Sequence, residues 1–440
     1  QDPTVLVRAL PTSAMSRRFG QLASVVSRAA RSTGTGYSSA GRGAAPVAAA
    51  VLLGLTGGAA WAKEKGSIKT WGLNTSGQLG VGDRKSRPLP EELETLAGET
   101  MVDVSCGPTH ALAVTVDGTV YAWGSGKDSR LGATGAGGSA QVLPIVVPMP
   151  EPMVSVAAGG SHSAAVTKDG SVYAWGKNNL MQCGRGNKVL TSKERKALHD
   201  QGVEPAKVDG LPRIRQVALG NNHTVCLSEE GELYVFGAAR DGQLGIAAPG
   251  NSVASPEKLE GLPKIREVSC GRSFTVAVSE AGEVFSWGDD AYGQLGLGRS
   301  QLVSETPKQV QSIRNVATLS AGFEHVVAVT KDGEVYTWGY GRDGQLGHNN
   351  LSDIQKPKHV EALKGKKIVQ CAAGGGHSAV LTEKGSVFVF GKGRDGQLGR
   401  ADQLEAIAAH RPEPIEVEAL RGQKVKKVAL GGDYSIAITA

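Results

Sequence analysis

Histidine titrates near neutral pH and is the side chain best suited to moving protons. Five of the nine histidines in this 440-residue chain stand at one recurring place, the end of a G-x-x-H string: His110, His162, His223, His325 and His377. Two carboxylates keep them company, Glu324 just before His325 and Asp433 at the same position of a copy that carries Tyr434 instead of histidine. The recurring histidines look like a set of bases. Cys106 and His110 have a spacing a metal could use, and G-x-G-x-x-G strings at Gly339, Gly341, Gly344 and at Gly391, Gly393, Gly396 have the pattern of dinucleotide-binding turns.

Comparison of sister copies argues against all three. Phe274 follows Cys270 where His110 follows Cys106, so a metal would lose its ligand. Other copies of the glycine string read GAARDG and GDDAYG, and no helix N-terminus follows to hold phosphate. Histidines repeated in nearly every copy order a turn rather than form a catalytic set. No P-loop, G-x-S-x-G or H-E-x-x-H occurs. The expectation is a protein that is not an enzyme, with no catalytic residues, cofactor, metal or small-molecule substrate.

The elements that carry these residues repeat. Ala372 to Gly399 has close relatives starting at Ser320, Ser269 and Ala218, and looser ones at Ala157 and Ser105. An aromatic before a glycine recurs at Trp71, Trp123, Trp175, Phe236, Trp287, Trp338 and Phe390, with spacings of 52, 52, 61, 51, 51 and 52 residues. A period near fifty means an array. Each copy contains two alternating runs around a turn such as Lys168-Asp169-Gly170, which predicts a hairpin, and R-D-G-Q-L-G at Arg240, Arg342 and Arg394 supplies a second turn and a leucine (Leu244, Leu346, Leu398) to pack between sheets. Fifty-odd residues suffice for a four-stranded sheet. The array starts with half a copy from Gly66 and finishes with the complementary half at Ala440, so pairing the two would close a ring of seven.

These paired signatures, cysteine or alanine then G-x-x-H, followed by D-G-x-V-Y-x-W-G and G-Q-L-G, resemble the regulator of chromosome condensation repeat family. The resemblance covers residues 66–440 and implies an all-β, seven-bladed propeller whose closing blade is shared between N- and C-terminal strands. In the family's nuclear founder, acidic residues in the G-x-x-H turns and an inserted β-wedge drive nucleotide exchange on a small GTPase. Here the position before the histidine reads Thr109, Ser161, Asn222, Ser273, Glu324, Gly376 and Asp433, with two acids and no evident wedge. A plant ultraviolet-receptor relative would place tryptophan in those turns, where this chain has Pro108, Gly160, Asn221, Arg272, Phe323, Gly375 and Gly432.

Outside the repeats, residues 1–43 hold six of the arginines and one acid, so most of the net charge of +6 belongs to a leader and no phosphate-binding field is implied for the ring. Gln1 is not a natural start. From Met15 the segment is rich in arginine and serine and free of acids, which reads as an organellar transit peptide, mitochondrial rather than plastid. Residues 44–62 carry no charge, and nineteen residues of helix span roughly 28 Å, enough for one membrane anchor with Val47, Val51, Leu52, Leu53 and Leu55 facing lipid. A sorting signal cut after Ala62 is the rival reading. The flanking charges place the propeller in the intermembrane space rather than the matrix. Five cysteines, with Cys106, Cys270 and Cys371 read as one repeat position, indicate core usage rather than disulfides.

Two departures from the template remain. An insertion from Arg185 carries a capping box, Thr191 to Glu194, that predicts a helix over Ser192 to Gln201. Its Lys193, Glu194, Arg195 and Lys196 are candidate partner contacts beside Glu324 and Asp433, or else a solvated surface. A loop from Ala401 ends in Lys424, Lys426 and Lys427, which face lipid headgroups or water. Mitochondrial members of the family are associated with respiratory-complex assembly and with organellar RNA or ribosomes. The resemblance therefore implies a protein-interaction scaffold, assembly factor or accessory subunit of an inner-membrane complex; a GTPase exchange factor and an RNA- or ribosome-associated factor are the alternatives.

Overall fold

β-branched and aromatic residues in period-two alternation fit a pleated sheet buried on both faces. In the computed structural model, which describes residues 66–133, 138–185, 202–248, 250–298, 301–400 and 410–440, these runs form seven four-stranded antiparallel sheets. The innermost strands of blades 1 to 7 are Met101–Cys106, Met153–Ala158, Ile214–Leu219, Ile265–Cys270, Val316–Ala321, Ile368–Ala373 and Val425–Leu430. Each packs against its successor, and that of blade 7 returns to blade 1, so the ring is closed.

Blade 2 shows how a repeat folds. Val166 of the second strand, His162–Thr167, lies opposite Val172 of the third, Val172–Gly176, and every residue of both strands is buried. Gly170 turns the chain at φ +85°, where a side chain would be strained. The fourth strand of every blade is the outer edge of its sheet and contains proline, at Pro88, Pro144, Pro205, Pro256, Pro307, Pro357 and Pro412. Proline cannot donate to a further strand, so the exposed edges resist sheet extension.

Blade 7 joins the chain's two ends. Ile68–Gly72 pairs with Tyr434–Thr439, placing Ile68 opposite Ile438 and Gly72 opposite Tyr434. The Thr439 N–H donates to the Ser67 carbonyl at 2.9 Å. The expected closure is therefore observed.

Three expectations need correction or lie elsewhere. The segment read as a long loop contains His410–Glu416, the fourth strand of blade 6, and continues through a short 3-10 turn, Glu418–Leu420, into blade 7. Cys371 is not equivalent to Cys106 and Cys270: it pairs with Val380, whereas Cys106 faces Ala111 and Cys270 faces Thr275, two residues further along their strands. The leader, the apolar segment with Val47, Val51, Leu52, Leu53 and Leu55, and the predicted helix with Lys193 to Lys196 lie outside the described residues. Among the described residues no helix is long and apolar enough to cross a membrane.

The blades are fastened to one another by the recurring histidines. His110 Nε2 lies 3.0 Å from Ser163 Oγ in the next blade, and the same contact joins His162 to Thr224, His223 to Thr275, His325 to Ser378 and His377 to Ser435. Each hydroxyl spends its hydrogen on a backbone carbonyl of the preceding blade: Ser163 on Arg130 at 2.7 Å, Thr224 on Gln182 at 2.7 Å, Thr275 on Gln243 at 2.9 Å. The hydroxyl oxygen must therefore accept, so Nε2–H donates and Nδ1 is the bare nitrogen. Nδ1 is buried without a partner in all five rings. The Arg130 and Gln243 carbonyls also accept the indole N–H of Trp175 at 2.9 Å and Trp287 at 3.0 Å, using both lone pairs. Where the histidine is absent, the hydroxyl is absent too. Phe274 is followed in the next blade by buried Val326, and Tyr434 by buried Ala111.

This matching predicts a coupled pair. His325→Phe should cost about 1–3 kcal/mol, while adding Ser378→Val should recover about 1 kcal/mol of the sum of the single losses, as read by urea denaturation. Additive losses would contradict the proposed step.

The same burial sets the response to acid. It pushes His162, His223 and His325 down to about 3 and His377 to about 4, and holds His110 well below its usual range. The unfolded chain binds these protons near pH 6.5 and the ring does not, so stability is intact above 6.5 and falls as pH drops toward 4, by about 2 kcal/mol per histidine at pH 5. Glu267 in the innermost strand of blade 4, pushed by burial up to about 7 against the Thr318 hydroxyl that bonds it, works in the opposite direction between 4.5 and 7. Burial raises Asp289 and Glu324 in the same sense, and these three carboxyls do not offset five imidazoles. Melting temperature should change little from pH 8 to 7 and fall steeply below 6.5.

Candidate interaction face

All G-x-x-H turns gather at one end of the ring, together with the turns that follow each third strand. The Ser125 N–H, for example, donates to the Thr109 carbonyl at 2.8 Å. The opposite end carries the second-to-third strand hairpins and the blade-to-blade linkers, joined by contacts such as Glu383 N–H to the Lys367 carbonyl at 3.0 Å. Glycine is required at the first turn position because a Cβ at Gly220 would sit 2.1 Å from the His223 ring and 2.7 Å from the Gly271 carbonyl. Backbone bonds then run from turn to turn around the rim, Gly160 to Gly220 at 3.0 Å, Asn221 to Arg272 at 3.1 Å, Arg272 to Phe323 at 3.0 Å and Phe323 to Gly374 at 3.2 Å. They enclose a central cavity of about 360 Å³ lined by small residues and turn backbone, including Gly107, Gly159 and Ala321.

With the backbone committed to the rim, the second turn residues carry the chemistry. In blades 4 and 5 they are Arg272, whose side chain is 60% exposed, and Phe323, 36% exposed. The neighbouring turns add Tyr292 and Tyr340, stacked edge to face at 5.0 Å, with the Arg342 guanidinium 5.9 Å over Tyr340, and an exposed Leu302. Aromatic and arginine side chains held on rigid turns are the composition of energetic centres in protein interfaces.

The two acidic candidates sit on this face but do not combine. Glu324 accepts from Arg272 at 3.4 Å, and burial, opposed by that guanidinium and assisted by the Asp289 carboxylate, raises its carboxyl above the ordinary range. Asp433 in blade 7 is held by Lys392 at 2.8 Å and Gln397 Nε2 at 3.2 Å. Among the described residues no hydrogen bond or ion pair joins one to the other. Lys193, Glu194, Arg195 and Lys196 lie outside the described residues. Sequence reasoning passed over Arg272, Phe323, Tyr292, Tyr340 and Arg342 as candidates. For Arg272, Phe323, Tyr292 and Tyr340 the signal was available as side chains that depart from the sister copies, whereas Arg342 repeats the template arginine of Arg240 and Arg394 and gave none. The cysteines remain scaffold: all five are free thiols, and burial pushes Cys106, Cys183 and Cys270 up to about 12.

A closed ring of seven four-stranded sheets, locked at one end by glycine turns and presenting variable side chains there, defines a seven-bladed β-propeller. Residues 67–437 match the model of the RCC1-like domain, and the chain belongs to that family. It is 33% identical over 368 residues to the ultraviolet-B receptor UVR8 of Arabidopsis thaliana, covering 82% of this chain and 80% of the receptor. It is 30% identical over 414 residues to the mitochondrial RCC1 domain-containing protein RUG3 of the same plant, covering 84% and 88%. The crystal structure of human WBSCR16 superposes with a TM-score of 0.76 at 26% identity, covering 85% of this chain and all of that one. The five ring tryptophans, Trp71, Trp123, Trp175, Trp287 and Trp338, are fully buried in third strands and none stands in a G-x-x-H turn.

Because Arg272 and Phe323 point away from the core, Arg272→Ala and Phe323→Ser should each change stability by no more than about 0.5 kcal/mol in thermal melts. Losses comparable to those of the histidine variants would mean that these side chains hold the rim rather than face solvent.

Proposed function

We propose that this chain is a non-enzymatic protein-interaction scaffold, an assembly factor or accessory subunit, attached to a respiratory complex of the mitochondrial inner membrane. The observation that carries the binding role is the arginine–aromatic surface of blades 4 and 5, where exposed Arg272, Arg342 and Phe323 flank the half-buried Tyr292–Tyr340 pair on hydrogen-bonded turns. The organelle is supported by the arginine-rich, acid-poor leader and by the mitochondrial assignment in the name of RUG3. Residues 44–62 would cross the membrane once, leaving the propeller in the intermembrane space.

The test is native-gel co-migration in detergent-solubilised mitochondria. The wild-type chain should run with a membrane complex, and Arg272→Ala with Phe323→Ser should release it while leaving its abundance unchanged. Alkaline carbonate should leave the chain in the membrane pellet, and protease added to mitoplasts should degrade the ring. The alternative of nucleotide exchange rests on Glu324 and Asp433. If the purified chain speeds nucleotide release from an organellar GTPase and Glu324→Ala or Asp433→Ala removes that effect, the scaffold reading is wrong.

A further inference from the structure

The end of the ring opposite the turn face is electrically lopsided. On blades 6 and 7 its linkers and hairpin, residues 360–367, 383–385 and 417–424, hold six basic and three acidic residues. The corresponding segments of blades 3 and 4, residues 208–213, 229–231, 260–264 and 280–282, hold two basic and five acidic. Within the basic sector Lys367 is paired with Glu383 at 3.2 Å and Arg421 with Glu416 at 3.0 Å. Lys364, Lys384 and Lys424 are exposed and make no ion pair among the described residues. The Lys366 ammonium is spent on the Phe388 ring, 4.5 Å from its centroid.

These side chains form one surface. The Glu383 N–H donates to Lys367, and a Cβ at Gly385 would lie 3.3 Å from Lys424 Cα, so linker, hairpin and next linker touch in sequence. The Ala440 N–H donates to the Lys424 carbonyl at 2.8 Å, and a Cβ at Gly66 would lie 2.5 Å from the Thr439 carbonyl. The ring therefore receives its preceding segment beside Lys424. Between the apolar stretch ending at Ala62 and Gly66 there are only Lys63, Glu64 and Lys65, a reach of at most about 14 Å.

We infer that the lysine sector of blades 6 and 7 rests on an anionic lipid surface, with Lys364, Lys384 and Lys424 in contact with headgroups. The inference rests on the membrane reading above for the nearness of the bilayer and adds which face meets it. Charge complementarity selects the acidic headgroups: each lysine at an anionic surface is worth about fivefold in binding. It also places Lys427 differently from Lys424, because Lys427 pairs with Asp103 of blade 1 on the channel wall and is spent on closing the ring.

The test combines the full chain with vesicles of phosphatidylcholine alone or of phosphatidylcholine with cardiolipin, followed by amine-reactive labelling read by mass spectrometry. Labelling of Lys364, Lys384 and Lys424 should fall on cardiolipin vesicles and not on neutral ones, while Lys168 and Lys264 elsewhere on the same end stay equally reactive. The combined change Lys364→Glu, Lys384→Glu and Lys424→Glu should weaken the anionic-lipid-dependent binding about a hundredfold. A chain inserted in both vesicles with no lysine protected would overturn the lipid contact and leave the anchor reading standing. Protection on cardiolipin that is lost in high salt, with no insertion, would support the surface and refute the anchor. Protection of the same lysines by single-stranded RNA but not by cardiolipin would overturn the inference.

Discussion

The ring depends on the step from each G-x-x-H turn to the next blade. A histidine in water makes its hydrogen bonds freely, whereas this one is buried with a single partner 2.9 to 3.1 Å away. A buried donor left without an acceptor costs more than the bond gains, so histidine and hydroxyl are tied together as a pair. Glycine completes the constraint, because the imidazole lies where a Cβ at Gly107, Gly159, Gly220, Gly322 or Gly374 would be. At the two exceptions Phe274 and Tyr434 fill the space, their partners become Val326 and Ala111, and the Tyr434 hydroxyl donates to the His110 carbonyl at 2.6 Å. The substitution is made on both sides of a blade boundary or on neither.

One backbone carbonyl organises the second layer of this contact. The Gln397 carbonyl accepts both Trp71 Nε1 at 2.9 Å and Ser435 Oγ at 2.8 Å, bringing together residues from the start and end of the array. Blade 7 is thus fastened by the same device as the others, although its strands come from opposite ends of the chain. Closure by a shared blade converts local repeats into a structure in which every blade has two neighbours. That leaves the fourth strands as the open edges, and each has its proline.

Much of this was legible as pattern. The period, the hairpin at Lys168 to Gly170 and the complementary half-copies at Gly66 and Ala440 follow from turn chemistry and alternation, and the ring follows from them. The histidine-to-hydroxyl pairing was legible too, since the residue after each histidine position, Ala111, Ser163, Thr224, Thr275, Val326, Ser378 and Ser435, tracks the histidine position one copy earlier. It is missed when copies are compared only position by position, because the contact is offset by one repeat and one residue. The strand His410–Glu416 was taken for a loop because Pro412 and Pro414 suppress the usual strand signal, which at an outer sheet edge is how a strand is protected. The register of Cys371 was lost for a simpler reason: the glycine that fixes it, Gly374, stands three residues on rather than one.

The binding surface was harder to see because it is defined by direction rather than by pattern. Arg272, Phe323, Tyr292 and Tyr340 are scattered over seventy residues, and only the blade geometry puts them on one end of the ring. The strand direction separates them from Lys364, Lys384 and Lys424 by the length of a strand, about 20 Å for six residues. The two ends also differ in kind: aromatic rings and guanidinium groups, weakly hydrated and stiff, suit a desolvated protein contact, whereas flexible ammonium groups suit a hydrated, charged surface. With the preceding segment joining beside Lys424, a ring lying on a bilayer by its lysine end turns Phe323 and its neighbours outward. The proposed protein contact and the proposed lipid contact then do not compete for surface, which is the condition for one propeller to hold both at once.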